Sequence, residues 1–394
     1  MKRTGISYLP TLVLALFLFP SAVFANGLFS SSTSYSTGTG PYALATGDIN
    51  GDGDLDILTA NRDSDGISMF LNNGDGTFGA ALPLTAGAGP YQVAIGDVNG
   101  DGDLDIVSAD ADDDTVSVLI GNGDGSFATS VAYPAVKPRW VALADLNSDN
   151  NLDIVAPDGY GTDVSVLIGV GNGTFGKTIT YAAVDSPYQV AISDFDGDNI
   201  PDIAVANRGA AYLSILIGNG DGTFQDKVDY PSGHSMPAVV AADFDDDGAV
   251  DLVATHDDIG TISVFLGNGD GTFEDYVDYV VAPQSSRSLG IGDFDIDGIP
   301  DIAVCNYDDD TVAVLLGNGD GTFQTPVSYL VGEGPHGLIA ADFNGDGSDD
   351  VATADWGSNQ ITVFLNAQAV EIPPADDDDD DCYGCFISNL KFVY

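Results

Sequence analysis

A nine-residue motif places oxygen-bearing side chains at fixed intervals, and its first copy runs from Asp48 to Asp56. Asp48, Asn50, Asp52 and Asp56 stand at positions one, three, five and nine, the kind of spacing with which a short loop surrounds a hard cation such as Ca²⁺. Position six is Gly53, where the chain must turn sharply, and it is Gly or Asn in every copy. The motif occurs seven times at steps of 48 to 50 residues, with later copies that begin at Asp97, Asp145, Asp194, Asp243, Asp293 and Asp342.

The predicted calcium ligands are positions one, three, five, seven and nine of every loop. In chain order they are Asp48, Asn50, Asp52, Asp54, Asp56, Asp97, Asn99, Asp101, Asp103, Asp105, Asp145, Asn147, Asp149, Asn151, Asp153, Asp194, Asp196, Asp198, Ile200, Asp202, Asp243, Asp245, Asp247, Ala249, Asp251, Asp293, Asp295, Asp297, Ile299, Asp301, Asp342, Asn344, Asp346, Ser348 and Asp350. We expect about seven structural Ca²⁺ ions with no open coordination position for chemistry. The alternative is that these Asp residues only form Asx-turns, but turns alone would not need oxygen at positions one, three, five and nine.

Composition and the N-terminal segment predict an exported protein. Acidic residues number 61 against 10 basic ones, which argues against nucleic acid or an anionic membrane as a partner. Residues 1–25 have basic residues, a short apolar run and a small-residue cleavage site, and therefore predict a signal peptide. No later segment is long and apolar enough to span a bilayer, so the mature chain is expected to lack a transmembrane segment. With three Cys, no disulfide framework is expected.

Each repeat divides into four predicted strands. In the first repeat they are Tyr42 to Gly47, Asp56 to Ala60, Ile67 to Leu71 and Phe78 to Leu84, with period-two alternation and an Asn-Gly-Asp-Gly turn before the last. Four antiparallel strands make one blade of a β-propeller. The seventh repeat has no fourth strand, whereas the segment from Asn26 to Ser36 matches the missing turn, Phe and strand.

We therefore predict an all-β, seven-bladed propeller with calcium loops, closed by an N-terminal strand that completes the last blade. The expected organisation is a signal peptide (1–25), the propeller (26–368), a Pro- and Asp-rich linker (369–381) and a Cys-containing tail (382–394). Cys382 and Cys385 of the tail favour a local disulfide or a segment trimmed from the mature protein, and the alternative is a surface-attachment signal.

Positions two, eight and ten of the loops are mostly apolar, as Ile49, Leu55 and Ile57 show in the first copy. The complete pattern resembles the FG-GAP or VCBS repeat of secreted bacterial proteins and integrin α-subunit propellers, over Phe29 to about Asn366. The resemblance implies a β-propeller with Ca²⁺ bound between the first and second strands of each blade, and a role in adhesion and ligand binding. Asp349 departs from the pattern at position eight of the last loop, which we expect to bind calcium most weakly.

Basic and aromatic residues concentrate on the predicted face opposite the calcium loops. The arginines that follow the signal peptide all fall in connections that emerge there. The predicted ligand-binding residues, which would surround the mouth of the central channel, are Tyr42, Tyr91, Arg139, Trp140, Tyr188, Arg287 and His336. These residues could stack on a sugar and pair with a carboxylate or sulfate. Alternatively, the tyrosines only fill space between blades.

Two functions of different class fit this sequence. The first is a non-enzymatic, monomeric binding or adhesion module for an extracellular glycan or protein. The second is a polysaccharide lyase or hydrolase that uses the face opposite the calcium loops. Binding is favoured, because the chain has no G-x-S-x-G or H-E-x-x-H motif and the constant repeat length leaves no room for catalytic insertions. No catalytic residue is therefore predicted. A third alternative is a scaffold that displays the acidic tail.

Overall fold

The chain folds into seven four-stranded antiparallel sheets arranged as the blades of a propeller. The computed structural model describes residues 27–366, so the predicted signal peptide, the linker and the Cys-containing tail lie outside the described residues. The innermost strands of the blades, in chain order, are β2 (Pro41–Gly47), β6 (Pro90–Gly96), β10 (Ala142–Ala144), β14 (Pro187–Ser193), β18 (Val239–Ala242), β22 (Ser286–Gly292) and β26 (Pro335–Ala341).

The second strand of each blade is buried along its whole length, because blades cover both of its faces. These strands are β3 (Asp56–Asn61), β7 (Asp105–Asp110), β11 (Asp153–Pro157), β15 (Asp202–Asn207), β19 (Asp251–His256), β23 (Asp301–Asn306) and β27 (Asp350–Asp355). The third strands are β4 (Gly66–Phe70), β8 (Thr115–Leu119), β12 (Asp163–Leu167), β16 (Tyr212–Leu216), β20 (Thr261–Phe265), β24 (Thr311–Leu315) and β28 (Gln360–Asn366). A 3₁₀ turn, η1 (Arg62–Ser64), joins β3 to β4.

The outermost strands are mostly exposed, and all but β1 have only four residues. They are β5 (Leu82–Thr85), β9 (Val131–Pro134), β13 (Ile179–Ala182), β17 (Val228–Pro231), β21 (Val277–Val280), β25 (Val327–Leu330) and, in the last blade, β1 (Phe29–Ser36). β1 pairs antiparallel with β28, so the last blade has the order β1, β28, β27, β26. The seven-bladed fold and its closure by an N-terminal strand are confirmed.

The predicted fourth strand was wrong at its beginning. Phe78 makes only an isolated bridge with Asn72, and the strand itself begins at Leu82. The reason is that the Phe78 ring turns inward to pack edge-on against Phe343 of the neighbouring blade and against Tyr35. The same isolated bridge recurs in the other blades that carry this turn, as at Gly121 and Phe127.

Hydrogen bonds between blades place the loops and the glycine-rich turns on one face. Gly173, in the turn of the third blade, donates its N–H to the carbonyl of Val98 in the loop of the second blade at 3.1 Å. Gly222 donates in the same way to Leu146 of the preceding blade. The Nδ2 of Asn72 donates to the carbonyl of Phe343 at 2.8 Å, and so joins the first blade to the seventh. The face that carries these contacts is called the loop face below.

Candidate functional site

The repeated loops have nearly the same backbone conformation in every blade. Position six takes a positive φ in each copy, for example 96° at Gly53 and 64° at Asn150, which accounts for the restriction to Gly and Asn. The first Asp of each loop accepts the N–H of position six; the distance from Gly53 N to Asp48 Oδ2 is 2.9 Å. The Asx-turns of the alternative interpretation are therefore present, and they orient the carboxylates of the loop.

Carboxylate oxygens converge in the three loops that have Asp at position three. In each group the oxygens of three side chains lie within 4.8 Å of one another; the groups are Asp194, Asp196 and Asp202; Asp243, Asp245 and Asp251; and Asp293, Asp295 and Asp297. Asp243 Oδ1 and Asp295 Oδ1 are buried and have no hydrogen-bond partner among the described residues. Unpartnered carboxylate oxygens facing other carboxylates form a donor set of the kind that Ca²⁺ takes.

The Asp at position nine also supports the fold. Asp56 accepts the N–H of Ile49 at 3.1 Å and, through its other oxygen, the N–H of Asn72 at 2.9 Å. The equivalent pair of bonds recurs in all seven blades, as at Asp251, whose partners are Phe244 and Gly267. This residue therefore ties its loop to the end of the third strand, a role that the spacing of the motif did not reveal.

The opposite end of the channel carries an aromatic and cationic cluster, called the mouth here. It comprises Tyr42, Tyr91, Arg139, Trp140, Tyr188, Arg208, Arg287 and His336. Tyr42 stacks on His336 with ring centroids 4.1 Å apart and meets Tyr91 edge-on at 4.7 Å. The Tyr42 and Tyr188 hydroxyl groups are hydrogen-bonded to each other. Five of the seven predicted ligand-binding residues line a small cavity here, and Tyr91 and Arg139 lie directly behind them.

The guanidinium groups of the mouth lie over aromatic rings. Arg139 lies 4.2 Å from the ring centroid of Tyr91 and donates a hydrogen bond to the hydroxyl of Tyr188 at 3.4 Å. Arg287 lies 4.3 Å from the ring centroid of Tyr307. Among the described residues, neither of these two arginines forms an ion pair with a carboxylate, and the Nε atom of each is buried without a hydrogen-bond partner. The positive charge of these two arginines is therefore not neutralised by a carboxylate among the described residues.

Positive charge at the mouth acts on the buried imidazole of His336. Its burial, and then the charges of four arginines, hold the pKa of His336 well below its usual value. The arginines, in decreasing order of effect, are Arg287, Arg208, Arg139 and Arg62. His336 is therefore neutral at physiological pH. Burial likewise raises the pKa of the Tyr42 hydroxyl well above its usual value, so this phenol stays protonated.

A second ring of residues at the mouth was not among the predicted ligand-binding residues, although Arg62 and Arg208 were expected on this face. Arg62, Arg208, Tyr307 and Trp356 each stand six residues after position nine of their loop, where the second strand ends. Arg62 and Arg208 form ion pairs with Asp63 at 2.7 Å and Asp257 at 2.8 Å. The signal was present in the register. Six of the seven predicted residues stand six before position one, with Trp140 five before it, and the four residues of the second ring stand six after position nine.

One buried cluster has the residue types of a hydrolase but not the arrangement. His256 Nε2 lies 2.6 Å from the hydroxyl of Ser263, which itself donates to Asp278 at 2.5 Å. The hydroxyl is thus paired with the carboxylate, whereas a Ser-His-Asp triad places the imidazole between the two. Because both Ser263 and His256 are fully buried, this network joins the three strands β19, β20 and β21 and offers no nucleophile to a substrate.

Comparisons with known proteins support the fold and the repeat. Six overlapping stretches match the family described as FG-GAP-like repeat, at residues 48–108, 97–156, 145–205, 194–254, 243–304 and 293–353. No curated protein matches the chain in sequence. Within residues 27–366, no helix is long and apolar enough to cross a membrane.

Solved structures of similar fold have varied roles. One is an Agrocybe aegerita lectin that recognises non-reducing terminal N-acetylglucosamine (20% identity, TM-score 0.54, covering 83% of this chain and 86% of the lectin). Another is BBS1N in complex with ARL6DN (11% identity, TM-score 0.62, covering 86% and 97%). A third is a catalytically inactive virginiamycin B lyase from Staphylococcus aureus (12% identity, TM-score 0.59, covering 85% and 99%). At these identities the likeness concerns the fold alone.

Proposed function

The chain belongs to the FG-GAP-like repeat family, and from that premise we propose that it is a secreted, calcium-binding propeller that acts as a non-enzymatic binding module. Its ligand is an extracellular glycan or protein. Calcium occupies the seven loops and has a structural role, and the mouth on the opposite face binds the ligand. Propellers of this fold include one that recognises a terminal sugar and one in complex with a protein, so both ligand classes are compatible with it.

The observation that carries this proposal is that the guanidinium groups of Arg139 and Arg287 have no carboxylate partner among the described residues. The chain has a net charge of -51, and an acidic partner within the chain would be easy to supply. Their Nε atoms are nevertheless buried without a partner among the described residues. A guanidinium without a carboxylate partner favours a bound anionic group such as a carboxylate or sulfate.

Aromatic faces beside these cations would supply the apolar part of the contact. Tyr160 is 64% exposed and lies under the Arg139 guanidinium, at 4.4 Å from ring centroid to Cζ. Trp356 extends the surface on the other side of the mouth, with its Nε1 donating to Asp63 at 2.9 Å. An exposed ring backed by a guanidinium is suited to stack on the apolar face of a sugar or on an apolar side chain.

The proposal is tested on arrays of glycans and extracellular proteins, probed with calcium-loaded chain. Replacing Arg139 and Arg287 with Ala is expected to weaken binding of the ligand found by roughly 10-fold or more, because two charge-assisted contacts are lost. The matched control is Lys177→Ala with Lys227→Ala, which removes the same charge away from the mouth. Unchanged affinity in the arginine variant would exclude the mouth as the binding site. Turnover of any polysaccharide by the unmodified chain would exclude a purely non-enzymatic role.

A further inference from the structure

The central channel beneath the mouth is lined mostly by apolar side chains, with Thr46, Gln92 and Gln189 as the polar ones. Its cavity volume is about 230 Å³, and its walls include Leu44, Val93, Ile95, Leu143, Ile192 and Leu289 from the innermost strands. For comparison, an engineered apolar cavity of about 150 Å³ in another protein stays dry and binds benzene. The channel is therefore large enough for an apolar ligand.

The channel continues into the cavity at the mouth. Leu44, Trp140, Gln189 and Leu338 line both spaces. The cavity at the mouth has a volume of about 30 Å³ and is bordered by Arg208 and Arg287. One water needs about 10–15 Å³ measured in this way, so this cavity holds about two waters, close to the size of one carboxylate group.

The lining defines the chemistry of the occupant. Most of it is apolar, so an alkyl chain would bury apolar surface favourably. The polar side chains in the lining, Thr46, Gln92 and Gln189, are too few to pair with all the hydroxyl groups of a sugar. At the mouth the unpaired guanidinium of Arg287 favours an anion. Gln92, which lines the channel one residue after Tyr91, has a buried Oε1 with no hydrogen-bond partner among the described residues, so a polar group is also needed near this end.

We propose that the channel and the mouth together bind an alkyl carboxylate, with its carboxylate at Arg287, beside the Arg208 that Asp257 already pairs, and its chain along the channel. On a single innermost strand the lining runs from Gln92 to Ile95, which corresponds to about 10 Å along the strand and suits a medium-length acyl chain. This inference goes beyond the proposed function, because it needs neither calcium in the loops nor a glycan or protein ligand.

The test is calorimetric titration of the full exported chain with decanoate, decanol and acetate below the micelle concentration. Decanoate is expected to bind at least about ten-fold more tightly than decanol, which lacks the charge, and than acetate, which lacks the chain. Arg287→Ala is expected to remove the preference for decanoate over decanol. Equal binding of decanoate and decanol by the unmodified chain would overturn the assignment of the carboxylate to the arginines.

A second variant tests the channel. Ala94 and Ala191 both line it, and replacing both with Leu fills part of the volume, so decanoate binding is expected to fall by about ten-fold or more. The matched control is Ala80→Leu with Ala132→Leu, at two exposed positions. Full affinity in a folded Ala94→Leu, Ala191→Leu variant would overturn the proposal. If that variant does not fold, the role of the channel is tested by comparing decanoate with acetate on the unmodified chain. Equal affinity for the two ligands would overturn the proposal.

Discussion

At the scale of single residues, the loop Asp residues serve the fold and the proposed metal site at once. Both oxygens of Asp251 accept a backbone N–H, at 2.8 Å from Phe244 and 2.7 Å from Gly267. Burial raises the pKa of this carboxyl to about 6 in spite of those two bonds. An Asn here would turn an amide donor toward one of the N–H groups, so the fold itself favours Asp at position nine.

Asp110 is a buried carboxylate outside the loops, at the end of β7. It accepts a hydrogen bond from Ser108 at 2.7 Å, and burial raises its pKa to about 6 although Ser117 also donates to it. Other blades have Asn at this place. Asn61 and Asn207 donate from Nδ2 to the serine of the third strand at 2.9 and 3.1 Å. The site thus accepts an uncharged amide without a change of shape.

We predict that Asp110→Asn stabilises the protein at pH 7 and not at pH 4. The folded pKa of about 6 exceeds the ordinary value of 3.8, so the stability linked to this group is present below pH 3.8 and is lost as pH rises through 6. A shift of two units corresponds to about 3 kcal/mol, an upper limit for the gain. Chemical denaturation at both pH values measures it, with the exposed Asp112→Asn as the control. A gain of equal size at pH 4 would contradict the titration argument.

At the scale of elements, β1 closes the ring. Its Phe29 is 6% exposed and meets the rings of Tyr329, Phe364 and Phe294 at 5.1, 5.6 and 6.0 Å. The strand also covers the edge of β28, which would otherwise expose unpaired backbone groups. The contact with Phe294 and Tyr329 joins the last blade to the one before it, so one residue holds both the strand and the blade interface.

Phe29→Ala is expected to destabilise the protein by about 3–5 kcal/mol, as for other buried Phe residues, and to release β1 before the rest unfolds. Unfolding in urea measures the loss of stability. Limited proteolysis near Ser36 reports the release of the strand. Phe29→Leu is the control, because it keeps most of the apolar volume and should cost less. Wild-type resistance to proteolysis and wild-type stability in Phe29→Ala would show that β1 is not needed for closure.

At the scale of the whole molecule, charge is divided between the two faces. The loop face carries the acidic motifs, and the mouth carries Arg62, Arg139, Arg208 and Arg287, whose charges all act on His336. The mouth also has acidic neighbours, since Asp63 and Asp257 pair with Arg62 and Arg208, so its positive charge is local in a chain whose net charge is -51. At physiological ionic strength these fields extend only about 8 Å, so recognition at each face depends on direct contact.

We predict that calcium raises the melting temperature, and raises it more as pH increases. Without metal, burial raises the pKa of Asp56 and Asp251 to about 6 and of Asp301 and Asp350 to about 7. These carboxyl groups therefore contribute most to the free energy of unfolding of the metal-free protein below pH 4. Their contribution is lost as pH rises through 6 to 7. Calcium needs the ionised carboxylates and offsets their repulsion.

The measurement is thermal unfolding at pH 5, 6, 7 and 8, in EDTA and in millimolar Ca²⁺, with Mg²⁺ as the control ion. The melting temperatures in Ca²⁺ and in EDTA should differ little at pH 5 and strongly at pH 8. No difference at any pH would mean that the loops are Asx-turns only. The expectation that the seventh loop binds most weakly stays a prediction, which a calcium titration of single-loop variants would address.

The fold and the loop geometry were largely predictable from sequence, because both depend on local, repeated interactions. The seven copies of the motif indicated the blade number, and the residues Asn26 to Ser36 indicated the closing strand, since each repeat carries its own turn and hydrophobic pattern. The positive φ at Gly53 and Asn150 follows from residue type and position alone. The one misplaced element, the fourth strand, depends on Phe78, whose inward turn is determined by a ring in the neighbouring blade.

The mouth was only partly predictable, because its contacts join residues far apart in sequence. Register placed Arg139, Arg287 and His336 at one end of the channel, but nothing local shows that Arg208 has Asp257 as a partner while Arg287 has no carboxylate. Closing the ring decides which side chains reach the axis and which carboxylates stay out of reach. The sequence by itself determined the blades and the loops; the tertiary structure decided which charges remain unpaired, and so what the propeller is able to bind.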